Sequence, residues 1–289
     1  MRKTLAEADE QALQRIAQEA EQRTGQLNLS DLKLTLLPPQ LAALPHLTDL
    51  RLHCPFNRDT VLDLAPLATL TGLQKLYLDG VQVTGLQPLS GLTALSELQL
   101  WRTSVRDLGP LAALSSLDSL YCVGCKLIDW DSLPTLPSLT RLWAWDCRMT
   151  DASPITRLVG LRAVMLVGNP LLDVDPLAAL GQLVDLDIKG TQVSELRPLQ
   201  VLTRLQELNC SATPATDWQS IRPLCEASSL STLIACEERQ HQAQAHRHRR
   251  QGNSALGGQL GAVGSAPLTA PPSPSRSALM WAGRASPWR

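Results

Sequence analysis

Two thiols three residues apart, Cys122 and Cys125, have the spacing at which cysteines hold a metal or exchange a disulfide. A zinc set needs four ligands, and neither a second such pair nor a nearby histidine completes this one. His241, His246 and His248, interleaved with Arg247, Arg249 and Arg250, could touch a metal or a nucleic acid. They lie in a Gln-, His- and Arg-rich run without periodic apolar residues, a composition typical of unfolded chain. The sequence has no G-x-x-x-x-G-K-S/T phosphate loop, no G-x-S-x-G nucleophile elbow and no paired carboxylates outside a repeating frame. The expectation is a non-enzymatic protein with no catalytic residue, cofactor or metal of its own. What remains is aromatic: seven Trp, two Tyr and one Phe in 289 residues. What those rings can do depends on the elements that carry them.

Those elements repeat. At a period of 22 residues one proline falls into register, at Pro66, Pro88, Pro110, Pro154, Pro176 and Pro198, with Ser132 and Ser220 in the two remaining slots. Around it runs the frame L-x-x-L-x-L-x-x-T/N/C-x-V-x-D-L-x-P-L-x-x-L-x-x, as in Leu73, Leu76, Leu78, Val81, Val83, Leu86, Pro88, Leu89 and Leu92. Copies start near Leu47, Leu73, Leu95, Leu117, Leu139, Leu161, Leu183 and Leu205, with an irregular ninth at Leu230. The first two starts are 26 residues apart, and the extra residues fall in the polar stretch His53 to Thr60, which should protrude.

Each part of the frame has a physical reading. The L-x-L core alternates with period two, so it predicts a short strand with its leucines inward and the intervening residues outward. The acidic residue three places before the proline slot (Asp63, Asp107, Asp129, Asp151, Asp173, Glu195, Asp217) can cap a turn or short helix, whose first turn tolerates proline. The ninth place holds small residues (Val81, Thr103, Cys125, Cys147, Asn169, Thr191, Thr213) that can satisfy turn backbone groups or pack, which accounts for one of the paired thiols. Trp130 and Trp218 replace a frame leucine in the two copies with a serine slot and should be core residues. One copy cannot bury its own leucines, so copies must stack, with their strands in a parallel sheet about 4.8 Å apart.

This frame resembles the leucine-rich repeat, in its short, bacterial, internalin-like form with a D-L-x-P-L-x-x-L segment. The resemblance covers residues 26–236 and implies an α/β solenoid: a leucine-rich-repeat horseshoe with a parallel β-sheet on its concave face and short helical, 3-10 or turn segments on its convex face. Residues 1–25 are read as an N-terminal cap, with Leu13, Ile16, Ala17 and Ala20 on one face of a helix. The helix leads into Leu27-Asn28-Leu29-Ser30 and Leu37-Pro38-Pro39-Gln40-Leu41, which looks like the start of the repeat region in bacterial Roco-type GTPase proteins. The alternative function is therefore the regulatory repeat region of a larger GTPase, or a host-directed bacterial effector. Residues 237–289 leave the frame and read as a disordered, basic, Pro/Gly/Ser/Arg-rich tail.

Charge narrows the partners. Residues 1–236 carry 19 Lys and Arg against 25 Asp and Glu, and residues 237–289 carry 7 against 2, so the repeat body is acidic and makes no nucleic-acid footprint. No apolar run is long enough for a membrane span, and Met1 to Glu10 lacks the apolar core of a secretory signal. Seven cysteines without such a signal suit a reducing, cytoplasmic setting.

A protein partner is left, and the frame says where it would dock. The fifth place reads Arg51, Tyr77, Gln99, Tyr121, Trp143, Met165, Asp187, Asn209, and the seventh reads His53, Asp79, Trp101, Val123, Trp145, Val167, Lys189, Ser211. Half of the ten aromatic residues (Tyr77, Trp101, Tyr121, Trp143, Trp145) occupy these outward places on adjacent strands. With Met165 they are expected to form one open apolar patch, rimmed by polar residues that include Arg51 and Asp187. Rings of this kind bury about 150–250 Å² each, enough together for one side of a standard interface.

Overall fold

A computed structural model of the chain describes residues 5–30, 32, 34–53, 61–226 and 230–234. All of them belong to the first of two compact units, residues 1–237. The expected protruding loop, apart from His53, and the expected disordered tail lie outside the described residues.

The repeat becomes a sheet of ten strands, all parallel. In order across the sheet these are β1 (Gln26–Asn28), β2 (Asp49–Arg51), β4 (Lys75–Tyr77), β6 (Glu97–Gln99), β7 (Ser119–Tyr121), β8 (Arg141–Trp143), β9 (Ala163–Met165), β10 (Asp185–Asp187), β11 (Glu207–Asn209) and β12 (Thr232–Ile234). The pairing aligns Leu50, Leu76, Leu98, Leu120, Leu142, Val164, Leu186 and Leu208 in one row, as the frame requires. These residues are buried and form, with the other frame leucines, one continuous core. The 22-residue count therefore describes a structural unit in which each strand lends its apolar side to the next.

Three strands go beyond the frame. β1 pairs Leu27 with Leu50, so the lead-in Leu27-Asn28-Leu29 is the first rung of the sheet although no copy of the full frame precedes it. A short parallel pair, β3 (Val61–Leu62) with β5 (Gln82–Val83), forms a second ladder where the chain turns away from the main sheet.

On the return path the D-L-x-P-L segments form 3-10 turns, with proline in the first turn of those at Ala65–Leu67, Gln87–Leu89, Gly109–Ala113, Ser153–Arg157, Asp175–Ala179 and Arg197–Val201. Four of the seven acidic residues cap their own turns as expected. Asp63, Asp107, Asp129 and Asp151 each accept the backbone N–H two residues on, at 2.9, 2.7, 3.1 and 2.8 Å. At Glu195 the job passes to the next copy, where the Asp217 carboxylate accepts the N–H groups of Leu196 and Arg197. Trp130 is in the core, and Trp218 packs against it half-buried.

The N-terminal helix α1 (Leu5–Gln22) is present but turned about its axis relative to the expected face. Of Leu13, Ile16, Ala17 and Ala20 only Ile16 is buried; the packed face is Ala8, Ala12, Ile16 and Glu19. Two alanines let the helix lie close to the first repeat. Glu19 is carried inward because it has partners there: it accepts from the Gly25 N–H at 2.7 Å, from the Thr24 hydroxyl, and meets His46 Nε2 at 3.0 Å. Burial pushes the Glu19 carboxyl up, but these hydrogen bonds outweigh it and leave the pKa below its ordinary value. An apolar-face count could not find a helix anchored by a carboxylate.

Candidate functional site

The buried ninth place explains Cys125, and Cys122 is an inward core residue of the strand side. Thr103, Thr191 and Thr213 hydroxyls donate to the carbonyls of Leu100, Ile188 and Cys210 at 3.0, 2.8 and 2.8 Å. Cys125 and Cys147 do the same work, their thiols donating to the carbonyls of Leu100 and Cys122. Asn169 does more: Oδ1 accepts the N–H groups of Cys147 and Met149, and Nδ2 donates to the carbonyls of Ala144 and Leu166. Burial pushes the Cys122 and Cys125 thiols up and Cys147 up to about 12, so these sulfurs stay protonated and unreactive at neutral pH. Among the described residues no three His, Cys, Asp or Glu side chains are grouped to hold a metal.

On the other face of the sheet the fifth-place row runs Arg51, Tyr77, Gln99, Tyr121, Trp143, Met165, Asp187 and Asn209 in hydrogen-bonded register. At the N-terminal end the Arg51 guanidinium lies 5.0 Å from the centre of the Tyr77 ring, so its charge is already spent on a cation–π contact. Burial, with the Glu97 charge, pushes the Tyr77 phenol up to about 12. In the middle, the Tyr121 and Trp143 rings stack with centroids 4.2 Å apart and planes 2° from parallel.

That stack changes the expected patch. Trp143 is only 9% exposed and Met165 only 3%, yet neither belongs to the leucine core. Large side chains on neighbouring strands, about 4.8 Å apart, cover one another face to face. The register Tyr121, Trp143, Met165 was the signal for this, since three consecutive bulky residues in one row must bury each other's faces. Trp143 and Met165 are thus the floor of the site, not its open surface.

The open surface belongs to the seventh place. Trp101 and Trp145 are 37% and 36% exposed, with half-buried Val123 on the strand between them. Their backbones are pinned, because their carbonyls accept the N–H groups of Gly80 and Gly124 at 2.6 and 2.7 Å. The eighth place, just after, is left-handed in the second to eighth copies: Gly80, Gly124, Gly168 and Gly190 lie at φ of 68–72°, but Arg102, Asp146 and Ala212 adopt 54°, 50° and 57°. Two of the three strained residues directly follow the two exposed tryptophans. Arg102 leans over the neighbouring copy, so that a Cβ added at Gly124 would lie 3.0 Å from its Cγ.

The two polar ends differ. Asp79, on the N-terminal side, has Oδ1 buried without a hydrogen-bond partner among the described residues, and burial pushes its carboxyl up to about 6 against the opposing pull of His53 and Arg51. On the C-terminal side Asp187 accepts from the Lys189 N–H at 2.8 Å and from Asn209 Nδ2 at 3.0 Å. Asp185 and Glu207 are cross-strand neighbours, and no hydrogen bond or ion pair engages either side chain among the described residues. Burial first, then the charges of Glu207 and Asp187, push Asp185 up to about 7.

No protein-family model matches the chain, and no curated protein matches it. Solved structures do. An internalin (inlF) from Listeria monocytogenes is 26% identical, with a TM-score of 0.50, over 71% of this chain and 68% of its own. An internalin C2 from Listeria monocytogenes is 24% identical, with a TM-score of 0.57, over 76% of this chain and 92% of its own. The Toll–Spätzle complex from Drosophila matches at 17% identity and a TM-score of 0.55, over 73% of this chain and 32% of the other. The chain is thus a leucine-rich-repeat protein with an internalin-like fold. That architecture presents an extended concave surface suited to binding other proteins. Among the described residues no helix is long and apolar enough to cross a membrane.

Proposed function

We propose that the chain is a non-catalytic module that holds a protein partner against the open face of its sheet. Trp101 and Trp145 make the first contact, Tyr77, Tyr121, Trp143 and Met165 form the apolar floor, and Arg51 and Asp187 belong to the rim. The observation that carries this reading is the pair of one-third-exposed tryptophans over a pre-stacked Tyr121 and Trp143. A monomer has no folding reason to expose such rings, and Trp and Tyr dominate interface hot spots. A floor already ordered before binding also spares the complex the entropy of fixing it.

The test is site-specific photocrosslinking in extracts of the native cell. A benzophenone-bearing residue at position 101 or 145 should give one discrete adduct, and the same residue at Val159, which is 67% exposed after a convex turn, should not. With the partner in hand, Trp145→Ala should weaken binding on the ~2–4 kcal/mol scale of hot spots and leave the fold intact. Equal adducts from all three positions would remove the concave face as the docking surface.

A further inference from the structure

We infer that the segment bound by this face is basic as well as apolar, with a lysine or arginine seated between Asp185 and Glu207 and an aliphatic or aromatic anchor at Trp101 and Trp145. The inference rests on the docking face proposed above and adds the chemistry and spacing of the occupant.

Charge complementarity carries it. Several other charges on this face have a companion, although Lys75 has no ion pair and Asp79 an unpartnered Oδ1 among the described residues. Arg51 lies over Tyr77, Arg141 pairs with Asp118 at 3.0 Å, and Asp187 is held by the Lys189 N–H and by Asn209. Asp185 and Glu207 face each other across β10 and β11 with nothing between them. The strands around them do not supply a counter-charge: β9 and the residues just after it offer Ala163, Met165 and Val167, β11 and the residues just after it add Asn209 and Ser211, and β12 sets Thr232 beside Glu207. Lys189, four residues after Asp185, is exposed at the seventh place and bears on Asp187, not on Asp185, and Arg204, three residues before Glu207, donates to Gln182 Oε1. Two half-buried, like-charged carboxylates without a cation repel each other, and a guanidinium or ammonium placed between them relieves that repulsion while forming charge-assisted hydrogen bonds. At the other end Arg51 and Lys75 stand among Asp49, Asp79 and Glu97, so the acidic groups there already have cations beside them and a further basic residue gains less than at Asp185 and Glu207.

Geometry gives the spacing. From Trp145, in the seventh place of its copy, to Asp185 and Glu207, in the third place of theirs, is two to three strands sideways at ~4.8 Å each and four residues back along the strand at ~3.3 Å each, roughly 16–20 Å in all. An extended segment laid diagonally over the sheet covers that in about five to six residues at ~3.3 Å each. The recognised pattern is therefore an apolar anchor with a basic residue five to six positions away.

A phage-displayed library of random dodecapeptides, selected on the full chain in low salt, tests this. Enriched sequences should carry Lys or Arg five to six residues from an aliphatic or aromatic residue. A selected peptide should lose at least tenfold in affinity for the Asp185→Asn, Glu207→Gln variant, and lose its binding to the wild type as salt rises. Trp145→Ala should abolish selection of the anchor. Enrichment of apolar peptides indifferent to charge, or of acidic ones, would overturn the basic occupant and leave the docking face standing. Failure to enrich any sequence above the Trp101→Ala, Trp145→Ala variant would overturn both.

Discussion

On the inward side of the sheet, the row from Leu50 to Leu208 holds leucine at every rung except Val164; one residue further along each strand, the row from Arg51 to Asn209 does not repeat a residue type on consecutive rungs. Both rows share the same backbone hydrogen bonds and the same spacing. The inward row is constrained by the copy before and the copy after, because each leucine must fill the same gap in a close-packed stack. The outward row answers to no such rule, so its departures from a bland polar surface carry information. Tyr121, Trp143 and Met165 on three consecutive strands are one such departure, and in the other outward row, one residue before the leucines, the uncompensated pair Asp185 and Glu207 is another.

The sharpest way to break the comparison is to truncate neighbouring residues of one strand. Leu142 is fully buried in the core, and its replacement by Ala should destabilise the chain by about 3–5 kcal/mol, since a rigid stack cannot collapse onto the cavity. Trp143→Ala removes a far larger side chain, which is also nearly buried, but on the concave side where its neighbours can relax into solvent. Its loss should be about 1–2 kcal/mol, mainly the stacking on Tyr121. Chemical denaturation of the two variants decides it. A Trp143→Ala loss as large as that of Leu142→Ala would make the stack a second structural core and not the floor of a binding site.

This contrast also explains what could be read from the chain unaided. The strand register and the side on which Tyr77, Trp101 and Trp145 lie follow from Leu76, Leu98 and Leu142 alone, because a period-two strand leaves no choice once its leucines are inside. The capping by Asp63, Asp107, Asp129 and Asp151 was legible for a similar reason, being local chemistry at a fixed offset. Hidden features all depended on contacts between elements. Glu19 is buried because Gly25, Thr24 and His46 meet it, and nothing in the helix alone shows that. β1 forms because β2 offers an open edge. The burial of Trp143 needs both neighbouring strands at once.

A smaller effect of opposite sign should appear at Arg102. Its left-handed backbone, at φ 54°, costs a non-glycine residue about 1–2 kcal/mol, and four other copies avoid that strain with glycine. Arg102→Gly should therefore raise stability by about 0.5–1 kcal/mol, after allowing for the greater freedom of glycine in the unfolded chain. If the strain is kept for recognition, the same variant should bind the partner more weakly even though it melts higher. A variant that is both more stable and equally avid would show that Arg102, unlike Trp101 beside it, lies outside the contact.

The smallest effect is electrostatic and concerns the far end of the groove. In the folded chain Asp185 titrates at about 7, against an ordinary value of 3.8, with burial the largest cause and Glu207 and Asp187 adding to it. The folded state therefore holds a proton between roughly these two values that the unfolded chain has released, and its stability must fall as pH rises through that window. Asp185's contribution is most favourable below the unfolded value and is lost once pH passes the folded one. Because the carboxyl is only half-buried, solvent screening limits the change to a fraction of a kcal/mol, on the order of a surface charge pair. Asp185→Asn should flatten this slope, so that wild type and variant have similar melting temperatures near pH 5 and the variant melts slightly higher at pH 8. Glu19 gives a built-in contrast, since its lowered pKa makes the cap lose stability only as pH falls below its ordinary value of 4.5. A variant that melts lower than wild type at pH 8 would mean that the Asp185 charge is already compensated, and the end of the groove facing β11 would then have no unmet need for a cation.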